Sequence, residues 1–66
     1  MHNNIRQIRN KANLSQQKLA DSVGISRPYL SDIERGKKKP SVEIAAKICN
    51  TLKSKFEKVF PNNSKL

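Results

Sequence analysis

The segment "QQKLADSVGISRPYLSDI", residues 16–33, decides the fold of this 66-residue chain. Its apolar residues recur three and four positions apart on both sides of Gly24, which predicts two short helices. Only a few residues around Gly24 connect them, so the second helix must cross the first steeply instead of running antiparallel to it. The small side chain of Ala20 lets the two helices approach closely. We expect these helices at about residues 16–23 and 27–35.

The angle between two such helices has to be filled by apolar side chains. The residues placed to fill it are Leu19, Val23, Ile25, Leu30 and Ile33. A single match would be weak evidence, whereas the full set within eighteen residues is specific. The segment therefore predicts a helix-turn-helix.

The rest of the chain also carries apolar residues at helical spacing. The predicted stripes are Ile5, Ile8 and Ala12; Leu19, Ala20 and Val23; Leu30 and Ile33; Ala45, Ile48, Cys49 and Leu52; and Phe56, Val59 and Phe60. The residues placed to cap first turns are Ser15, Ser26 and Ser41, and those placed to end helices or form turns are Asn13, Gly24 and Gly36. These patterns predict one all-α domain of five short helices over residues 1–60, followed by a flexible tail at 61–66.

The charge balance points to an acidic polymer as partner. The net charge is +9 and the pI is near 10.2, so nucleic acid is the leading candidate and an anionic membrane surface the second. The lysines cluster after a turn and do not line one face of a long helix, which counts against the membrane. No apolar run approaches the roughly 20 residues of a membrane span, and no N-terminal apolar segment resembles a signal peptide. We therefore expect a cytoplasmic protein.

Residues that carry catalysis or bind cofactors are not grouped in the sequence. There is no nucleophile with a base and an orienting group, and no glycine-rich phosphate loop. His2 has no second ligand near it, and Cys49, the one cysteine, lies on an apolar stripe. We expect no enzyme activity, cofactor, metal or small-molecule ligand.

Four motifs carry a resemblance to a known family: "IRQIR", "NLSQQKLADSVGIS", "YLSDIERGKKKPS" and "KVF", from about Ile5 to Phe60. They resemble the Cro and phage-repressor type, XRE-like, helix-turn-helix domains. The resemblance implies a compact five-helix, lambda-repressor-like DNA-binding domain whose third helix, the recognition helix, lies in the major groove. It implies a bacterial or phage-encoded transcriptional regulator, for which we expect repression and binding to operator DNA as a symmetric homodimer.

The outward face of the recognition helix supplies the predicted base contacts, which are Ser26, Arg27, Pro28, Ser31 and Asp32. Arg27 is the main one, since a guanidinium can pair bidentately with guanine; contact with phosphate alone is the alternative. Pro28 either meets a thymine methyl or only starts the helix. Asp32 either accepts from a cytosine amine or orients Arg27, and in both cases it affects sequence preference.

The predicted contacts to the DNA backbone are Gln16, Gln17, Tyr29, Arg35, Lys37, Lys38 and Lys39. For Gln16, the resemblance suggests a phosphate contact through its side chain or its helix-terminal amide, and plain solvent exposure is the alternative for both glutamines. Tyr29 is equally explained by packing. The lysine run follows the recognition helix directly, which favours phosphate contact over a merely solvated surface.

Two structural predictions complete the picture. The resemblance implies an ion pair between Arg9 and Glu34 that fixes the third helix to the first. The segment "KICNTLKSKFEKVF" is predicted to be the dimer interface, because its apolar residues exceed what a five-helix monomer must bury; these are Leu52, Phe56, Val59 and Phe60. Two half-sites would then lie about 34 Å apart on one face of the DNA.

Alternative functions remain open from the sequence. The motif "SRPYLSDIERG" also resembles restriction-modification controller proteins and some antitoxins, which use the same fold and differ in their genomic partner. An interaction module of a different class would use the basic surface to dock an acidic protein or RNA. A lack of preference for duplex DNA would favour that module.

Overall fold

Five short α-helices make up most of residues 3–61, the part of the chain that the computed structural model describes. They are α1 (Ile5–Lys11), α2 (Gln16–Val23), α3 (Arg27–Glu34), α4 (Val42–Leu52) and α5 (Phe56–Val59). No strand occurs within this range. The predicted all-α, five-helix fold is confirmed, and α2 and α3 lie where the helix-turn-helix was expected. Positions 62–66 of the predicted tail, and His2, lie outside the described residues.

Three serines start helices in the same way. Each hydroxyl accepts a hydrogen bond from the backbone amide three residues later, at 3.0 Å for Ser15, 3.2 Å for Ser26 and 3.1 Å for Ser41. Such a cap satisfies an amide that has no partner within the helix and contributes about 1 kcal/mol. The predicted starts of α2, α3 and α4 are therefore set by local chemistry.

The turn between α2 and α3 depends on Gly24. Its φ of 83° lies in the left-handed region, which glycine enters without the steric penalty of a Cβ. The amides of Gly24 and Ile25 both donate to the carbonyl of Ala20, at 2.9 and 3.0 Å. The other predicted turn residues, Asn13 and Gly36, also have positive φ, and so does Lys53 at the end of α4, which the sequence analysis missed.

The core lies where the helix-turn-helix packs against α4. Leu19 and Ala20 of α2, Leu30 and Ile33 of α3, and Ile48 of α4 are among its buried residues. Most of the predicted apolar stripes are buried there, whereas Ala12 is exposed because it ends α1 outside the core. One face of α3 is thereby covered by protein, and its opposite face is left at the surface.

The predicted dimer interface is corrected at three of its four residues. Leu52, Val59 and Phe60 are core residues of the single chain, with at most 7% of their surface exposed. They have no appreciable surface to offer a partner, because α4, α5 and the N-terminal segment already cover them. Only Phe56 remains available: it is 41% exposed, and its ring centroid lies 5.1 Å from that of Phe60.

The segment before α1 ties distant parts of the chain together. The Asn4 amide donates to the carbonyl of Val59 at 2.8 Å. The Asn3 side chain, which is buried, donates through Nδ2 to the carbonyl of Ile33, also at 2.8 Å. The last turn of α3 is thus held by a residue 30 positions earlier in the chain. Sequence patterns did not single out this contact.

Candidate nucleic-acid interface

The exposed face of α3 carries the side chains predicted to contact bases. Leu30 and Ile33 are fully buried beneath it, while Arg27 and Pro28 are exposed at the first turn. Ser31 and Asp32 are partly buried on the following turn, and the exposed Ser26 caps the helix through its hydroxyl. All five predicted base contacts therefore lie at the N-cap or along the side of α3 that faces away from Leu30 and Ile33.

A chain of hydrogen bonds fixes Arg27 to the scaffold. Its Nε donates to Gln16 Oε1 at 3.2 Å, and Gln16 Nε2 donates to Glu34 Oε1 at 3.3 Å. Glu34 in turn accepts from Arg9 twice, from Nε at 2.9 Å and from Nη2 at 3.2 Å. We call these four residues, Arg9, Glu34, Gln16 and Arg27, the arginine relay. It connects the exposed guanidinium of Arg27 to an ion pair inside the domain.

The ion pair implied between Arg9 and Glu34 is present in the structure, and it is largely removed from water. Only 11% of the Arg9 side chain and 4% of the Glu34 side chain are exposed. Arg9 Nη1 also donates to the carbonyl of Leu14 at 3.0 Å, so the guanidinium is bonded on several sides. A two-point contact of this kind fixes the angle of α3 to α1.

Asp32 does not orient Arg27, which corrects one of the two predicted roles. Its Oδ1 accepts from Arg35 Nη2 at 3.2 Å, and its Oδ2 lies 3.8 Å from Lys38 Nζ. Gln16 performs the orienting role instead. Acceptance of a hydrogen bond from a cytosine amine remains a prediction for Asp32.

The side chains predicted to contact the DNA backbone differ in their exposure and in their partners within the protein. Gln17 is exposed and donates to Asp21 Oδ1 at 2.9 Å. Tyr29 packs against the core, and Lys38 Nζ lies 5.7 Å from its ring centroid. The members exposed to solvent at the C-terminal end of α3 and beyond it are Arg35, Lys37, Lys38 and Lys39. Of the three lysines, Lys38 is placed beside α3 by its contacts with Asp32 and Tyr29.

An open cavity of about 470 Å³ lies between α1, α2 and α3. Its lining residues are Arg6, Arg9, Ser15, Gln16, Arg27, Ser31, Glu34 and Arg35. Since Arg9 is paired with Glu34 and Arg35 with Asp32, the charges of Arg6 and Arg27 leave this depression positive. Arg6 was not predicted as a site residue. Its spacing of three residues from Arg9 in "IRQIR" was the available signal, because residues three apart are neighbours on one side of a helix.

The described part of the chain gives little support for a metal site, a membrane span or a reactive thiol. No group of three or more His, Cys, Asp or Glu side chains among residues 3–61 could hold a metal ion. None of the helices in that range is long and apolar enough to cross a membrane. Cys49 is buried, and desolvation raises the pKa of its thiol, which suits a small core residue better than a reactive one.

Two known proteins are similar to this chain in sequence. The HTH-type transcriptional regulator YgzD of Bacillus subtilis is 38% identical over 60 residues, which cover 91% of both chains. The control protein C.BamHI of Bacillus amyloliquefaciens is 47% identical over 49 residues, which cover 73% of this chain and 60% of that protein.

Solved structures show the same fold. The clp gene regulator ClgR of Corynebacterium glutamicum superposes with a TM-score of 0.82 at 30% identity, over 92% of this chain and 65% of that one. The biofilm regulator SinR in complex with DNA gives a TM-score of 0.73 at 31% identity, over 80% and 86% of the two chains.

A family model of helix-turn-helix domains, HTH_3, matches residues 5–59. This range contains all five helices, the arginine relay and the lysine run. The resemblance to Cro-type and phage-repressor-type domains is thereby confirmed, and the chain belongs to the HTH_3 helix-turn-helix family of transcriptional regulators.

Proposed function

We propose that this chain represses transcription by binding a palindromic operator in double-stranded DNA as a homodimer, with α3 in the major groove. The observation that carries the proposal is the arginine relay. It holds a guanidinium at the exposed first turn of a helix whose other face is fixed in the core. A relative of the same fold, SinR, has been solved with DNA, which supports duplex DNA as the partner.

Arg27 is the central base contact in this proposal. Its Nε is bonded to Gln16, which leaves both terminal amino groups to pair with O6 and N7 of guanine. Ser26, Pro28, Ser31 and Asp32 contact the neighbouring bases. A bidentate pair of this kind discriminates against the wrong base by about 1–3 kcal/mol, so Arg27 contributes more to sequence preference than any of these neighbours.

Phosphate contacts supply the bulk of the affinity. The contacts come from Gln16, Gln17, Tyr29, Arg35, Lys37, Lys38 and Lys39, and Arg6 joins them from α1. Each neutralised phosphate releases counterions, so affinity falls steeply with salt, with a slope of about 0.9 per contact on a double-logarithmic plot. The net charge of +9 makes duplex DNA attractive before any base is recognised.

Two copies are needed because one recognition helix covers only a few base pairs, too few to select a site in a genome. Of the four apolar residues first assigned to the dimer interface, only Phe56 is exposed enough to contribute. The second copy therefore packs around Phe56 on α5, and Leu52, Val59 and Phe60 support that surface from below. The two α3 helices would enter successive major grooves about 34 Å apart.

A restriction-modification controller is the second candidate, and one observation favours it. Identity to the control protein C.BamHI reaches 47% over 49 residues, which cover 73% of this chain. In that case the chain regulates the genes of a restriction enzyme and its methyltransferase through the same DNA contacts. Restriction and methyltransferase genes next to the coding gene would favour this role over a general repressor.

Selection of bound sequences from a pool of random duplexes tests the proposal. The expected result is a palindrome with half-sites about one helical turn apart and a guanine at an invariant position in each. Binding to random duplexes as tight as binding to every selected sequence would refute sequence-specific recognition. A single unpaired half-site would refute the dimer alone, and tighter binding to RNA than to duplex DNA would favour the interaction module.

A further inference from the structure

Asp32 lies between two cations that were expected to contact the DNA backbone. Its two carboxylate oxygens face different partners: Oδ1 is 3.2 Å from Arg35 Nη2, and Oδ2 is 3.8 Å from Lys38 Nζ. The cations are exposed over 58% and 60% of their side chains, whereas only 28% of the Asp32 side chain is exposed. Arg35 and Lys38 can thus swing away, while the carboxylate stays near the surface of α3.

The position of Lys38 is fixed by more than this ion pair. Its ammonium lies 5.7 Å from the ring centroid of Tyr29, within the range of a cation–π contact. The backbone amides of Lys37 and Lys38 both donate to the carbonyl of Asp32, at 2.9 and 3.3 Å. These bonds keep the backbone of Lys38 close to α3 even when its side chain moves.

The three lysines of the run are consequently not equivalent. Among the ion pairs formed within residues 3–61, Asp32 holds Lys38 but neither Lys37 nor Lys39. A phosphate oxygen must compete with a carboxylate for Lys38 and Arg35, whereas it meets Lys37 and Lys39 without that competition. This asymmetry is invisible in the sequence, where the run reads "KKK".

The Asp32 carboxylate and the DNA phosphates compete for Arg35 and Lys38, and the outcome depends on the base sequence. When Arg35 and Lys38 turn toward phosphates, Asp32 is left as an unpaired anion close to the duplex, which is unfavourable. At most sequences nothing replaces the lost partners. Where the base opposite Asp32 presents an exocyclic amine in the major groove, as cytosine does, the carboxylate accepts a new hydrogen bond.

We propose that Asp32 suppresses binding to DNA of arbitrary sequence by holding Arg35 and Lys38 in internal ion pairs, and that an amine-bearing base releases both cations to the phosphates. This inference rests on the proposed function, and it names the residue that couples base recognition to backbone contact. Asp32 is then a specificity residue through its internal partners as well as through a base.

Replacement Asp32→Asn tests the inference, with Glu43→Gln as the matched control. Glu43 forms an exposed ion pair with Lys47 on α4, at 3.7 Å, so its replacement also removes one negative charge and one surface ion pair. D32N should bind a random duplex about three to ten times more tightly than wild type, and its salt slope should steepen by up to about 1.8, which is about 0.9 for each of the two released cations. E43Q should change the affinity by less than about twofold.

A second pair of variants separates release of the cations from simple charge repulsion. In an Arg35→Gln, Lys38→Gln background, only direct repulsion between the carboxylate and phosphate remains. D32N should then tighten random-duplex binding by less than about twofold. An undiminished effect in that background, or a D32N effect equal to that of E43Q, would overturn the inference.

Failure of the proposed function is recognised separately, by the wild type alone. If the wild-type chain does not prefer any selected duplex over random ones, sequence-specific recognition fails. If it does prefer one, the ratio of selected to random affinity should fall in D32N and stay near the wild-type value in E43Q. A wild-type ratio in D32N would overturn the role of Asp32 and leave the proposed function intact.

Discussion

Glu34→Ala removes the centre of the arginine relay. The Glu34 carboxylate is 4% exposed and accepts three hydrogen bonds, two from Arg9 and one from Gln16, at 2.9, 3.2 and 3.3 Å. Without it, the Arg9 guanidinium keeps only its bond to the carbonyl of Leu14 at 3.0 Å among the interactions described above. A cation that is 11% exposed is then left without a counter-charge inside the domain.

The expected loss of stability is large for so small a domain. Removal of one partner of a buried ion pair costs about 3–5 kcal/mol. A chain of 66 residues, at roughly 0.05–0.15 kcal/mol per residue, has a free energy of unfolding of only about 3–10 kcal/mol. The loss is therefore about a third of the upper value and all of the lower one, so urea titration followed by the circular dichroism of the helices should show Glu34→Ala unfolding at a much lower urea concentration than wild type.

A double variant separates stability from DNA recognition. Arg9→Met with Glu34→Leu removes both charges and fills the space with apolar side chains, an exchange that is often neutral or stabilising. This variant should unfold near the wild-type urea concentration. Gln16 nevertheless loses its acceptor, so Arg27 is no longer fixed and the preference for a selected duplex should fall.

Two results would refute this reasoning. A loss below about 1 kcal/mol in Glu34→Ala would mean that the pair behaves like a solvent-exposed one. A folded double variant with the wild-type ratio of selected to random affinity would mean that the relay does not position Arg27. Fluorescence anisotropy with labelled duplexes measures that ratio directly.

Three further predictions concern single residues. Arg27→Ala should reduce discrimination at one base pair by about 1–3 kcal/mol, whereas Lys37→Ala should weaken binding to all duplexes about equally and reduce the salt slope by about 1. Anisotropy titrations at several salt concentrations measure both effects, and the opposite pattern in the two variants would contradict these roles. Gly24→Ala should lose about 1–2 kcal/mol of unfolding free energy through its φ of 83° alone, since a Cβ there meets nothing within 4 Å; unchanged urea stability would contradict a conformational origin. Burial raises the pKa of the Cys49 thiol, so the unfolded chain loses this proton at a lower pH than the folded one, and the free energy of unfolding should fall above about pH 8.5. Urea titrations at neutral and alkaline pH should show a smaller fall in Cys49→Ala than in wild type. An equal fall in both would rule out the thiol as its source.

The helices of this fold were predictable because their signals are local. Ser26 caps α3 through an amide only three residues away, and Gly24 turns the chain with bonds to Ala20. Neither depends on the rest of the domain. Lys53 shows the limit of such signals, because it adopts a φ of 52° although lysine has no preference for that region.

Predictions that depended on contacts between distant parts of the chain were less accurate. Helical periodicity identifies an apolar face, as at Val59 and Phe60, but does not tell whether the same chain covers it. Here it does, and Asn4 bonds to the carbonyl of Val59 from more than fifty residues away. The dimer interface was therefore assigned to residues that the monomer needs for its own core.

Side-chain partners on the surface were predictable only in part. The spacing of Asp32 and Arg35, three residues apart on one helix, was a usable signal for an ion pair. The approach of Lys38 depends on the loop after α3 and could not be read from spacing. The contact of Arg27 with Gln16 likewise depends on how α2 and α3 cross.

The two ends of α3 are held in opposite ways, and each suits the contact proposed for it. At the first turn, Arg27 is bonded through Gln16 to an ion pair that water hardly reaches. A guanidinium that already has a hydrogen-bonded partner loses less conformational freedom when it meets a base, which favours geometric discrimination. At the last turn, Asp32 holds Arg35 and Lys38 through exposed pairs that can exchange. Phosphates follow the path of the groove and differ in position from site to site, so side chains that can move are better suited to them. In the proposed complex, the partner of Arg27 is itself bonded to a buried ion pair, whereas the partner of Arg35 and Lys38 is a carboxylate near the surface.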